Sequence, residues 1–341
     1  MADLMKAAVF EGKGKMTVKK VPVPKIKNAD DVKLRIEAAS ICGTDVQILK
    51  VPPGHPATPG AILGHEYVGQ VVEVGKAVKH LKPGDRVVVD PNLTCGLCPY
   101  CRLGLPNMCQ NMTTLGIFID GGFAEYNVAP AKALHKIPPE LTTDLAIFAE
   151  PFSCVVNGAT KLKLLAGESV VVLGAGPIGL YYTALMKMSG AGKIIVAEVN
   201  KKRAKMALKM GADMIINPQE VNLREAVRAE TGGIGADVAI ECVGCLLTDA
   251  ISCVRRGGRV LLFGMNSTAC CSCTQYDITR EEITIIGTYI SNHSMPSVIR
   301  LLQTGKMPLD KLITHRVKLS NIMDGIKAMQ SGDAIEVIVT P

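Results

Sequence analysis

At 341 residues the chain is long enough for about two domains, each with its own core. Thirty-eight basic against thirty-one acidic residues leave a net charge of +7, spread through the sequence rather than gathered into a tail or an aromatic-rich stripe, which argues against nucleic-acid binding and suits an anionic cofactor. No apolar run approaches the ~20 residues that cross a bilayer, and Met1 to Phe10 lacks the blocks of a signal peptide, so a cytoplasmic protein with no membrane partner is expected.

From Lys6 to Ile36 short β-strands alternate with turns, broken at Pro22-Val23-Pro24 and at Asn28-Ala29-Asp30-Asp31, which predicts an antiparallel, partly barrel-like domain. Cys42-Gly43-Thr44-Asp45 and Gly64-His65-Glu66 follow, each beside a turn, with strands expected at Val68 to Val74 and Arg86 to Val89. Next comes Cys95-x2-Cys98-x2-Cys101-x7-Cys109 in a stretch rich in Gly and Pro. In a long chain without an export signal, cysteine spacing reads as metal ligation or core packing rather than disulfides. Four thiolates at these spacings suit a tetrahedral structural zinc, and a loop with so little core of its own needs such a staple. Phe123 to Ala129 reads as a further strand, and Leu141 to Gly158, carrying Glu150-Pro151, as a helical connection.

Val170 to Leu173 suit a strand buried on both faces, and Gly174, Gly176 and Gly179 then form G-x-G-x-x-G ahead of a helical run from Leu180 to Met188. This predicts a Rossmann dinucleotide site. Gly174 permits the turn, Gly176 lets backbone approach a pyrophosphate, and Gly179 allows close helix packing, with Pro177 and Ile178 between them where the helix N-terminus meets negative charge. A second strand, Lys193 to Ala197, ends in Glu198, nineteen residues past Gly179, where an acid hydrogen-bonds the adenosine ribose. Lys201, Lys202 and Arg203 attract a 2′-phosphate, whereas Glu198 repels it. A carboxylate held by a strand end outweighs screened charges on a helix, so NAD rather than NADP is expected, with Arg203 among the cofactor residues.

Apolar runs recur at Met214 to Ile216, Asp237 to Ile240, Arg259 to Phe263 and Ile283 to Ile286, completing six strands of a doubly wound parallel sheet. A helix at Met295 to Thr304, the stretch Lys311 to Val317, a helix at Ser320 to Gln330 and a strand at Ala334 to Val339 exceed that unit, and are expected to return to the first domain. The expected division is 1–153, 154–288 and 289–341.

Cys42-Gly-Thr-Asp, Gly64-His-Glu, the Cys95 to Cys109 quartet, Glu150-Pro and the Gly174 to Gly179 fingerprint stand in the order found in zinc-dependent medium-chain alcohol dehydrogenases. Over essentially its whole length the chain resembles the polyol (sorbitol-like) and threonine dehydrogenase branch, including Ile313-Thr-His-Arg316. The resemblance implies an α/β protein, a GroES-like β-rich catalytic domain plus a Rossmann domain, with the active site in the cleft between them. It assigns Cys42 and His65 to a catalytic zinc, Glu66 to the adjacent acid that ligates it or swings in during turnover, and Glu150 to a further ligand, with Cys154 as its rival four residues later. Thr44 matches the hydroxyl that begins the family's proton relay. Three positions further on, where many relatives carry a histidine, this chain has Gln47. An amide does not titrate, so ordered water or His55 is the expected exit.

The activity implied is hydride transfer from a small secondary alcohol or polyol to the nicotinamide, with one catalytic and one structural zinc, in a homodimer or homotetramer. Threonine-type or sugar-phosphate oxidation are alternatives, as is a zinc-stabilised NAD-binding protein without turnover, for which Gln47 is the argument. Leu49, His55, Phe118 and Tyr289 are candidate pocket residues. Cys242-Val-Gly-Cys245 has the form of a redox pair but follows a strand where the glycine turns the chain. Cys270, Cys271 and Cys273 lack a fourth nearby ligand, and both groups are read as structural. Met206 and Met210, at helical spacing, read as core.

Overall fold

In the computed structural model, which describes residues 3–341, the chain opens with an antiparallel hairpin of Leu4–Gly12 (β1) and Lys15–Pro22 (β2). Met1 and Ala2, the first residues of the stretch read against a leader, lie outside the described residues. Asp31–Ser40 (β3) alternates buried Val32, Leu34 and Ile36 and ends in Ala38, Ala39 and Ser40, small residues that suit cover on both faces. A short helix, Gly43–Ile48 (α1), leaves its end, and Glu66–Val74 (β4) and Arg86–Val89 (β5) pair back antiparallel. The cysteine-rich excursion carries Asn92–Leu93 (β6), Pro99–Arg102 (α2) and Thr113–Thr114 (β7), after which Tyr126–Pro130 (β8), Leu134–Lys136 (β9) and Thr143–Ala146 (α3) follow.

The helix expected from Leu141 to Gly158 is broken: α3 ends at Ala146, and Ala149–Leu162 (α4) starts anew. Pro151 explains the position of the second start, because a residue without an N–H is tolerated in a first turn and not in an interior. Then come Ser169–Leu173 (β10), Pro177–Met188 (α5), Lys193–Ala197 (β11), Lys201–Lys209 (α6), Met214–Ile216 (β12), Leu223–Ala229 (α7), Ala236–Glu241 (β13), Leu247–Cys253 (α8), Val254–Leu262 (β14), Gln275–Arg280 (α9) and Thr284–Gly287 (β15). These six strands form one parallel sheet in the order β12-β11-β10-β13-β14-β15. The order reverses at β10, which sits in the middle with Val170 to Leu173 wholly buried.

The closing elements are Met295–Gln303 (α10), Ile313–Lys318 (β16), Ile322–Ser331 (α11) and Glu336–Thr340 (β17). β17 pairs with β3, giving a seven-stranded sheet, β16-β17-β3-β4-β5-β9, with β8 also on β3. By contacts the chain divides into two compact units: the described residues up to Pro151 with Met295–Gln303 and Ile313–Pro341, and Phe152–Ser294 with Thr304–Leu312. The segment expected to return whole from residue 289 is therefore shared between the two. No helix among the described residues is long and apolar enough to cross a membrane.

One crossing in the first unit fixes the chain just ahead of β4. Gly122 donates its N–H to Gly64 O at 2.7 Å and Phe123 to Leu63 O at 2.9 Å. A Cβ on Gly116 would lie 2.2 Å from Gly64 O and 2.7 Å from His65 N, and Gly116 has φ +77. Gly84, with φ +92, has nothing within 4 Å of a Cβ. Gly84→Ala is therefore expected to cost only the strained backbone conformation, roughly 1–3 kcal/mol, whereas Gly116→Ala adds a backbone collision and loses clearly more. Denaturant midpoints compare the two, and equal losses would refute the crossing as a constraint.

Candidate catalytic and cofactor sites

Register brings together what the sequence separates. Ser40 on β3 stands opposite Glu66 on β4, so Cys42, two residues past β3, meets His65 and Glu66 at the start of β4. One ligand atom from each of Cys42, His65 and Glu66 lies within 4.8 Å of the others. His65 and Glu66 are buried and Cys42 half-buried. The Ser40 hydroxyl donates to the Glu66 carboxylate and orients it. Asp45, fully buried in the first turn of α1, accepts the Cys42 N–H at 2.9 Å, and its Oδ1 lies 3.9 Å from His65 Nδ1. That is too long for a hydrogen bond, and both atoms are buried without a partner. The Asp45 carboxylate is therefore a charge beside the His65 ring, not a hydrogen-bonded brace on it. Asp45 belonged to the motif read in the sequence, where it received no role. Its place three residues after Cys42, in a first helical turn, was the available signal.

The electrostatics show what this cluster lacks. Burial, then the charges of Glu66 and Asp45, push the Cys42 thiol well above its ordinary range, with Glu150 adding to the effect. Burial raises Asp45 to about 6, with His65 opposing the rise. A thiol that resists ionisation beside buried carboxylates fits a dication, which reverses each of these shifts. Glu150, buried in the first turn of α4, lies outside the tight three-residue set yet close enough to act on Cys42. Cys154 instead acts on the Tyr182 phenol of α5.

Thr44 is half-buried, and its backbone N–H donates to the Cys42 sulfur. Gln47 is exposed; its carbonyl accepts the Gly54 N–H at 2.9 Å, and its side chain lies over Gly54. His55 Nδ1 is 2.8 Å from Pro56 O, and its ring centroid is 6.5 Å from that of Phe118. Of the other pocket candidates, Leu49 is buried and Tyr289 is exposed in the second unit.

The thiols of Cys95, Cys98, Cys101 and Cys109 also lie within 4.8 Å of one another. Cys95 and Cys109 sulfurs are 3.5 Å apart, close to the roughly 3.8 Å edge of a tetrahedron built on Zn–S bonds of about 2.3 Å. Backbone N–H groups of Leu97 and Cys98 directed at the Cys95 sulfur lower its thiol to about 6, whereas burial and the Cys98 thiol push Cys101 up to about 12. Part of the cage is thus preset for thiolates by backbone donors, and the donor set fits zinc. Among the described residues no cysteine forms a disulfide. Cys270, Cys271 and Cys273 are exposed and not gathered into a metal-sized group, and Gly244, at φ +98, turns the chain between Cys242 and Cys245.

In the second unit, Gly174 takes φ +92 at the end of β10, Gly176 caps α5 and Pro177 is its first residue. A Cβ on Gly179 would lie 1.9 Å from Gly174 O, while one on Gly176 would meet nothing within 4 Å. The outer glycines, Gly174 and Gly179, close the turn, and the middle one, Gly176, leaves backbone open to a ligand. Ile178 follows in the first turn of α5. Glu198, only 8% exposed, accepts the Ala175 N–H through Oε2 and the Asn200 N–H through Oε1, each at 2.7 Å. The carboxylate thus braces the glycine loop, a role the spacing did not reveal. Asn200 caps α6, and Arg203 on its first turn has a buried Nε without a hydrogen-bond partner, which fits a polar cofactor.

Residues 28–139 match the alcohol dehydrogenase GroES-like domain family and residues 177–304 the zinc-binding dehydrogenase family. The chain is 34% identical to the sorbitol dehydrogenase of Bacillus subtilis (strain 168), over 99% of this chain and 97% of that one. It is 32% identical to an L-threonine 3-dehydrogenase of Xanthomonas oryzae pv. oryzae (strain MAFF 311018), over 98% and 99%. A zinc-binding dehydrogenase from Sinorhizobium meliloti 1021, solved bound to NADP, superposes with a TM-score of 0.95 at 33% identity, covering 99% of this chain and 100% of that one.

If the quartet holds an ion, Cys98→Ser lowers zinc by about one per chain and lowers the melting temperature, because the loop loses its staple. Elemental analysis with thermal unfolding checks this; unchanged metal content and unchanged melting would overturn it.

Proposed function

Because the chain belongs to the zinc-dependent medium-chain alcohol dehydrogenase family, we propose that it oxidises a secondary hydroxyl of a small polyol, sugar alcohol or related hydroxy compound, with NAD in preference to NADP. The observation that carries the reading is the buried convergence of Cys42, His65 and Glu66 beside Asp45. Sorbitol and threonine, named in the relatives, both carry a secondary hydroxyl.

Cys42, His65 and Glu150 would hold a zinc ion, which when bound would supply Lewis acidity to an alcohol oxygen, and a bound nicotinamide would take the hydride. Around it the chain's residues divide the work. Asp45 places a carboxylate beside the His65 ring, Ser40 holds Glu66 within reach as the exchangeable acid, and Cys42 with Glu150 supplies two negative charges to balance a dication. The Thr44 hydroxyl takes the alcohol proton. Gln47 does not titrate, so ordered water or His55 on the neighbouring loop takes its place as the exit; His55 Nδ1 lies 2.8 Å from Pro56 O. The same reading includes a cytoplasmic homodimer or homotetramer.

The preference for NAD rests on Glu198. Although the Sinorhizobium relative holds NADP, here a fixed, buried carboxylate ends β11, while Lys201 and Lys202 are exposed and screened.

Reduction of NAD⁺ and NADP⁺ followed across polyols, diols, threonine and sugar phosphates tests the function. Turnover on polyols or diols is expected; tight cofactor binding with no turnover on any of them would sink the proposal. Glu150→Ala is expected to cut kcat at least roughly a hundredfold and weaken zinc retention with cofactor affinity nearly intact, and the same loss in Cys154→Ala instead would move the ligand. Glu198→Ala is expected to shift the NADP/NAD ratio of kcat/KM toward NADP while lowering efficiency with both, since it also unties Ala175. An unchanged ratio would remove Glu198 as the discriminator.

A further inference from the structure

A groove of about 800 Å³ lies within the second unit, bounded by α7, α8, the start of β14 and α9. None of its lining residues belongs to the glycine loop or to the Glu198 to Arg203 turn. Four arginines line it: Arg224 and Arg228, four residues apart on α7, and Arg255 and Arg256 on β14.

The two pairs differ in how their charge is met. Arg255 Nε donates to Asp237 at 2.6 Å, and Arg256 Nε to Glu281 at 2.7 Å. Asp277, the other acid of the lining, accepts the Thr274 hydroxyl at 2.7 Å and the charge stays local to α9. Arg224 and Arg228 form no ion pair among the described residues, and Arg228 Nε is buried without a hydrogen-bond partner. Like charges at this helical spacing repel, and two guanidinium groups that line a groove with no carboxylate partner suit an anion, which their outward N–H donors can hold. The opposite character is present as well: Ile234, 61% exposed, and Ile251 line the same groove. The volume falls within the range of small-molecule pockets.

We propose that this groove is a second ligand site, separate from the cofactor site, which binds a small molecule bearing a phosphate group on an apolar or aromatic body, with the phosphate held by Arg228 and Arg224 and the body against Ile234 and Ile251. It is independent of the reading of the catalytic cluster.

The test uses the full-length enzyme saturated with NADH, which occupies the dinucleotide site, titrated calorimetrically with phenyl phosphate and, separately, with inorganic phosphate. Phenyl phosphate is expected to bind once per chain and more tightly than inorganic phosphate, with affinity that falls as salt rises. Arg228→Gln is expected to weaken it by roughly tenfold or more, and Arg224→Gln, at an exposed position with little at stake for folding, by several-fold. Arg203→Gln is expected to leave it unchanged. Absence of binding, equal affinity in wild type and both groove variants, or loss of binding in Arg203→Gln would each overturn the proposal. Equal affinity for the two probes would overturn the apolar half of it and identify a site for free phosphate.

Discussion

Negative charge gathered out of water is the constraint around which the first unit is built. Cys42, Asp45 and Glu66 meet in one buried place, Glu150 adds its charge from α4, and a single histidine stands among them. Burial makes such a gathering costly, and the raised Cys42 thiol and raised Asp45 carboxyl register that cost as protons held too tightly. A dication relieves all of it at once. The supporting structure follows from that need: β3 and β4 in fixed register, α1 springing from the strand end, and the glycine crossing that leaves no slack beside His65. The cysteine quartet answers a smaller version of the same problem, because its loop between β6 and β7 has little core to hold it.

The second unit uses carboxylates differently, as clamps on loops at the ends of strands. Glu198 joins the glycine loop to the turn before α6, and Glu241 at the end of β13 accepts the N–H groups of Val243 at 2.9 Å and Gly244 at 2.7 Å. Backbone donors thus satisfy carboxylate oxygens that burial takes out of water. Loops braced in this way are set in advance of any ligand, so less ordering remains to oppose binding. Under the proposed preference for NAD, Glu198 would carry two tasks, coupling discrimination between cofactors to loop stability through one side chain.

What was legible in the sequence was chemistry that depends on residue type at short range. Thiolates at zinc spacing, glycines where backbone must bend or be approached, and an acid at a strand end each leave a local signature, and the six-strand sheet follows from the runs between them. What was hidden depended on juxtaposition across the fold. The 3.9 Å approach of Asp45 to His65 needs the β3–β4 register, and the split of the expected helix before Pro151 needs the packing of Ile147 and Phe148, both buried, at the break. Extra elements at the C-terminus announced a return, but not that Thr304–Leu312 stays with the second unit. Arg224 and Arg228 carry no motif; their meaning arises only where α7 meets the start of β14.

The same distinction explains Gln47. Read along the sequence it is a missing titratable group; in the fold it is an exposed residue whose amide and carbonyl both engage Gly54. A Cβ on Gly54 would fall 2.4 Å from Gln47 Oε1, so the glycine is what lets the amide lie across the following loop, and the Gln47 carbonyl ties that loop down through the Gly54 N–H. The next residue is His55, with Nδ1 committed to Pro56 O and its ring near Phe118. In the proposed mechanism, position 47 gives up proton transfer to hold the segment that presents a histidine eight residues later.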